Sequence, residues 1–112
     1  LYQRLDEKGI GWFFPYALMI AYQESRFDIY AENPNGLDKG LFQYRVLYWT
    51  GGDIFNPYEQ IDRFCMEMYN RAVAGCDVYT MISRHNTSDW GEYNQAYVNE
   101  VLQWERVFVR IR

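Results

Sequence analysis

Apolar residues along the chain fall into helical rhythms separated by turn-forming residues. After Pro15, the residues Ala17, Ile20, Ala21 and Glu24 sit at i, i+3, i+4 and i+7, which places them on one face of a helix. Pro15 suits the first turn of that helix, where its missing N–H leaves no bond unmade. Residues 1–8 read as a short helix or the tail of one, ended by Gly9 and Gly11. Residues 28–39 read as a loop around Asn33-Pro34-Asn35-Gly36. The apolar stretch 40–49 fits a short strand or another helix, and its period does not separate the two. Beyond Gly51-Gly52, Asn56 is placed to cap a helix with Pro57 at its first position. Ile61, Phe64, Cys65, Met68, Tyr69 and Ala72 follow at helical spacing, with Phe64, Met68 and Tyr69 expected in the core, and Gly75 closes the helix. Asp77 starts a shorter helix through Val78, Met81 and Ile82, residues 85–89 read as a polar loop, and a last helix is predicted over 93–108. The expected fold is mainly α, a single domain with room for a small β element.

Composition adds exclusions. A chain of 112 residues, 49% hydrophobic and 23% charged, is one globular domain and not a disordered segment. A net charge of −4 with no clustered basic face argues against a nucleic-acid partner. Arg106, Arg110 and Arg112 are spaced around an expected helix end, where the dipole favours cations. The apolar stretch 12–22 is too short for a membrane span and is interrupted by Pro15. A single His and the absence of Cys-x-x-Cys leave no transition-metal signature, so neither metal nor cofactor is expected. Cys65 and Cys76 are free to pair or to stay reduced. The chain opens on Leu1, and it is read here as a domain of a longer protein attached to further domains.

The candidate chemistry begins at Glu24. A carboxyl that closes an apolar helix face is harder to ionise, so its pKa is expected to rise. A raised carboxyl pKa is what a general acid needs near neutral pH. The plainer reading is a helix-end carboxylate facing water.

The residues around Glu24 carry a resemblance. Glu24-Ser25-Arg26-Phe27 is followed by Ala31, by Asn33-Pro34-Asn35-Gly36, and by Gly40-Leu41-Phe42-Gln43. Further along come Asn56-Pro57-Tyr58-Glu59-Gln60-Ile61, Ser83-Arg84-His85-Asn86, and Tyr97-Val98 with Val101 three residues on. In this order the pieces resemble the motifs of the lytic transglycosylases, the family with the goose-lysozyme-like fold. The resemblance spans about residues 15–102. The chain departs from the pattern in four places. The loop between Pro34 and Gly40 is one residue long of the usual, Phe42 stands for a Met, His85 for a Tyr, and Arg45-Val46 for a Pro-containing turn.

That resemblance implies a lysozyme-like domain acting on peptidoglycan glycan strands, in the cell envelope, periplasm or outside the cell, a phage virion included. Glu24 would be the catalytic acid. Ser25 would hydrogen-bond the acid or the substrate, Gln43 and Asn86 would bond N-acetyl or hydroxyl groups, and Tyr97 would line the cleft and hold Glu24 by its hydroxyl. Gly40 would let the chain pass close to the sugar, and Phe42 belongs to the same substrate-binding segment. Trp12, Trp49, Trp90 and Trp104 are candidates for sugar stacking. His85 is expected to hydrogen-bond and not to catalyse. Two other readings stay open. A hydrolysing muramidase of goose-lysozyme type would use a second acid, for which Asp38 is placed, with Asp28 and Glu32 nearby. A module that binds peptidoglycan without cutting it would need no acid.

Overall fold

A computed structural model describes residues 1–108; Arg110 and Arg112 lie outside the described residues. Helix α1 (Tyr2–Glu7) is followed, past its cap Lys8, by Gly9, whose φ of 76° no side chain adopts comfortably. A 3₁₀ turn over Gly11–Phe13 leads into α2 (Phe14–Ser25), with Pro15 in its first turn. Helix α2 stops because Arg26 turns left-handed and its N–H reaches back to the Tyr22 carbonyl. A loop then carries the chain to β1 (Asp38–Lys39), which pairs antiparallel with β2 (Tyr44–Arg45), Asp38 opposite Arg45 and Lys39 opposite Tyr44. The ambiguous stretch 40–49 thus contains a strand and a 3₁₀ turn, Val46–Tyr48.

Helix α3 (Pro57–Val73) starts as expected: the Asn56 side chain accepts from the N–H groups of Tyr58 and Glu59. Gly75 follows its end at φ 88°. Asp77 caps α4 (Val78–Thr87) by accepting from the Thr80 N–H. Helix α4 runs further than its apolar pattern suggests. His85, Asn86 and Thr87 form its last turn, and only Ser88 and Asp89 of the expected loop are non-helical. The expected helix over 93–108 is instead two, α5 (Gln95–Leu102) and α6 (Glu105–Phe108), separated at Gln103-Trp104. No Gly or Pro marks that break. The Trp104 indole packs edge-on against Tyr22 at 4.7 Å and donates Nε1–H to Gln23 Oε1 at 2.9 Å, which anchors the chain there.

The mainly helical domain closes around one core. Ala17, Met19, Ile20 and Ala21 of α2 meet Phe64, Cys65 and Met68 of α3, Met81 and Ile82 of α4, and Val98 and Val101 of α5, all buried. Tyr69 departs from the expected core stripe and is 39% exposed. Cys65 in the core and the half-buried Cys76 are both free thiols. No helix among the described residues is long and apolar enough to cross a membrane.

The fully buried Gln60 ties the loops to this core. Its Oε1 accepts the Leu41 N–H at 2.7 Å, and its Nε2 donates to the carbonyls of Ile29 (3.1 Å) and Ile54 (2.9 Å). A buried amide with three backbone partners leaves almost nothing unsatisfied.

Candidate functional site

A cleft of about 820 Å³ opens between the end of α2, the β1–β2 hairpin, one face of α3 and the end of α4. Glu24 lines it together with Asp38, Gln43, His85 and Asn86. Helix geometry puts Glu24 there. The apolar face of α2 is sunk in the core, and Glu24, one turn beyond Ala21, emerges half-buried at the cleft.

Burial raises the Glu24 carboxyl from an ordinary 4.5 to about 7; the Tyr97 hydroxyl, donating to Oε2 at 3.1 Å, opposes that rise, and the nearby charges of Asp38 and Glu100 add to it. An acid that titrates near pH 7 can both donate and accept a proton there. Tyr97, itself 6% exposed, comes from α5 and brings its hydroxyl to a carboxyl 73 residues away in sequence.

Asp38 lies in the cleft but is engaged. Arg45, its partner across the hairpin, donates Nε–H to Oδ1 at 3.0 Å and Nη2–H to Oδ2 at 3.2 Å. Gln43 lines the cleft with a left-handed backbone (φ 55°), and its Nε2 donates to the Gly40 carbonyl at 2.9 Å. Asn86 lines the cleft and accepts from Asn94 Nδ2 at 2.9 Å.

Ser25, Gly40, Phe42 and the four tryptophans are not among the residues that line the cleft. The Ser25 hydroxyl is committed to backbone; its Oγ donates to the Leu41 carbonyl at 2.7 Å and fastens the end of α2 to the loop before Phe42. The Phe42 ring is fully buried and stacked on Phe64 at 4.0 Å. Gly40 is demanded by the protein's own packing: at φ 89°, a Cβ there would stand 2.9 Å from the Gln60 side chain. None of the four tryptophans lines the cleft, where the aromatic groups are Tyr44 and Tyr48. Trp90 is 96% exposed, and Trp49 lies under the Arg63 guanidinium, 5.1 Å from ring centre to charge.

His85 is half-buried at the cleft, with one ring nitrogen committed to the backbone. Its Nε2–H donates to the Phe42 carbonyl at 2.8 Å, and burial lowers its pKa to about 4. It is therefore neutral at pH 7, with its proton fixed by a backbone partner.

The residue pattern did not single out Tyr44, Arg63, Glu67 and Arg71, which also line the cleft. The signal was available for three of them: Arg63, Glu67 and Arg71 are spaced i, i+4, i+8 and so share one face of α3. Non-glycine residues with left-handed backbones also cluster here. Arg26 and Phe27 stand two and three residues after the acid, and Gln43 and Ser88 line the cleft, as strained positions often do at functional sites. Among the described residues no group of three or more His, Cys, Asp or Glu is placed to hold a metal ion. No family model, no curated protein and no solved structure matches this chain.

Proposed function

We propose that this domain cuts peptidoglycan glycan strands as a lytic transglycosylase, with Glu24 as its catalytic acid and base. One observation carries the reading: a half-buried carboxyl poised to titrate near pH 7, held by the Tyr97 hydroxyl, in a cleft large enough for sugar rings. The motif resemblance points to the same residue and supplies the substrate class.

In the reaction, the protonated Glu24 gives its proton to the oxygen joining N-acetylmuramic acid to N-acetylglucosamine, and the C1–O bond breaks. The muramyl C6 hydroxyl attacks C1, and its proton passes to the Glu24 carboxylate. The new C1–O bond closes a 1,6-anhydro ring, no water is consumed, and Glu24 ends protonated as it began. One carboxyl suffices, in contrast to the usual pair of carboxylates in glycosidases. The Tyr97 hydroxyl orients the acid and stabilises its charged form between the two transfers. Gln43 and Asn86 supply amide groups for N-acetyl or hydroxyl contacts.

Asp38 marks the second reading, hydrolysis, because it shares the cleft with Glu24. Its two bonds to Arg45 favour the one-carboxyl route, since they occupy one lone pair on each oxygen and hold the carboxylate to the hairpin. Mass spectrometry of digested cell walls separates the two. Products lighter by one water than a hydrolysate support the transglycosylase, and ordinary reducing ends alone would replace it with a muramidase.

A further inference from the structure

Part of the cleft has no role in the reaction above. Arg63 and Arg71 from α3 and Arg84 from α4 line it, with Glu67 and Asp89 as the carboxylates among them. Their pairing is uneven. Arg71, 6% exposed, donates Nε–H to Asp89 at 2.8 Å. Glu67 accepts the Tyr44 hydroxyl at 2.6 Å and stands 4.0 Å from Arg63 Nε. Arg84 has no carboxylate partner among the described residues; its Nη1 donates to the Cys76 sulfur at 3.0 Å. In this part of the cleft three guanidinium groups thus face two carboxylates, while at its other end Arg45 is matched by Asp38 and burial holds Glu24 toward its neutral form; the local excess of positive charge stands in a protein whose net charge is −4.

A guanidinium without a carboxylate offers a planar fork of N–H donors that fits an oxyanion through two parallel bonds. In an acidic protein, such a spot is also where an anionic ligand is drawn in. We infer that this stretch of the cleft is an oxyanion subsite, with Arg84 as its principal ligand and Arg63 in support, and that it takes a carboxylate carried on the side branches of the glycan strand. The Arg71–Asp89 pair, its arginine buried and its carboxylate exposed, is its scaffold. The inference rests on the glycan-cleaving reading and extends it. Neutral polysaccharide would fill the acid's part of the cleft and leave this part empty.

Binding measured in a Glu24→Gln background, where bound glycan is not consumed, tests it with three probes. These are a neutral N-acetylglucosamine tetramer, a muramyl tetrasaccharide with peptide branches bearing free carboxylates, and the same tetrasaccharide with those carboxylates amidated. Arg84→Gln should weaken the carboxylate-bearing probe about tenfold, the size of one lost charge-assisted bond. It should leave the other two unchanged, and Arg84→Lys should restore part of the loss. Equal weakening of all three, or of none, overturns the subsite while the glycan reading stands. Failure to bind any probe overturns both. If Arg84→Gln lowers the melting temperature, a salt titration of the Glu24→Gln protein makes the same distinction. The carboxylate-bearing probe should lose affinity as salt rises and the neutral one should not; identical responses overturn the subsite.

Discussion

Glu24 and His85 make an instructive pair. Each stands near the C-terminal end of a helix, each is half-buried, and each lines the same cleft. Burial drives both toward their neutral forms, the carboxyl up to about 7 and the imidazole down to about 4. Only one of them is left able to change charge near neutral pH. The difference lies in the partners. Glu24 is held at one oxygen by a side-chain hydroxyl, a bond that favours the carboxylate and opposes its burial. His85 has its proton committed to a backbone carbonyl and its ring edge-on to Phe42, Tyr44 and Phe64. Burial makes a group neutral, and the partner decides whether its proton is available.

The strongest attack on this contrast is Glu24→Gln. Cleavage of cell walls should fall by about a thousandfold, within the range that general acid–base catalysis contributes. Retained cleavage would remove Glu24 from the chemistry. The same variant should change the pH dependence of folding. Folded Glu24 holds its proton up to about 7 while the unfolded group releases it near 4.5, so the native protein loses stability as pH rises between these values. Glu24→Gln should abolish that loss, which is on the order of 3 kcal/mol, and denaturant melts at pH 5 and pH 8 measure it.

His85→Leu should act on stability and not on chemistry. It leaves the Phe42 carbonyl unpaired, at a cost of about 2 kcal/mol by denaturant unfolding, while folded molecules still cleave. The pH slope here has the opposite sign. The unfolded imidazole takes a proton near 6.5 and the folded one only near 4, so native stability falls as pH drops through that window, and the variant should lack this fall. A loss of cleavage as deep as that of Glu24→Gln would break the contrast.

Tyr97→Phe gives the smallest effect and the finest test. Without its hydroxyl the Glu24 carboxylate loses a stabilising bond, so the descending limb of kcat/KM against pH should move to higher pH by up to about one unit. An unmoved limb would mean that the hydroxyl does not hold the carboxylate.

What the sequence revealed was local. Pro15, Asn56, Pro57, Gly75 and Asp77 mark helix ends by their own backbone chemistry, and the structure uses each as such. Glu24 stood out by its spacing from Ala17, Ile20 and Ala21, but its contact with Tyr97 joins α2 to α5, and only the motif resemblance pointed to it. The misread features depend on tertiary neighbours. The polar end of α4 resembles a loop because one side of it faces the cleft. Phe42 is as apolar in a core as in a sugar site, and only its stacking on Phe64 tells the two apart. The arginines come from two helices, and nothing along the chain brings Arg84 beside the α3 face.

The Gln60 amide has one more consequence, for the motions open to this molecule. It joins the segment before Phe42, the loop after Phe27 and the approach to α3, three pieces of chain distant in sequence. None can swing outward without stripping hydrogen bonds from a buried side chain, so the hairpin side of the cleft opens as a unit or stays shut. The Leu41 amide proton, locked to Gln60, should therefore exchange with heavy water only when that whole unit opens, which makes it a reporter on the integrity of the cleft in the resting protein.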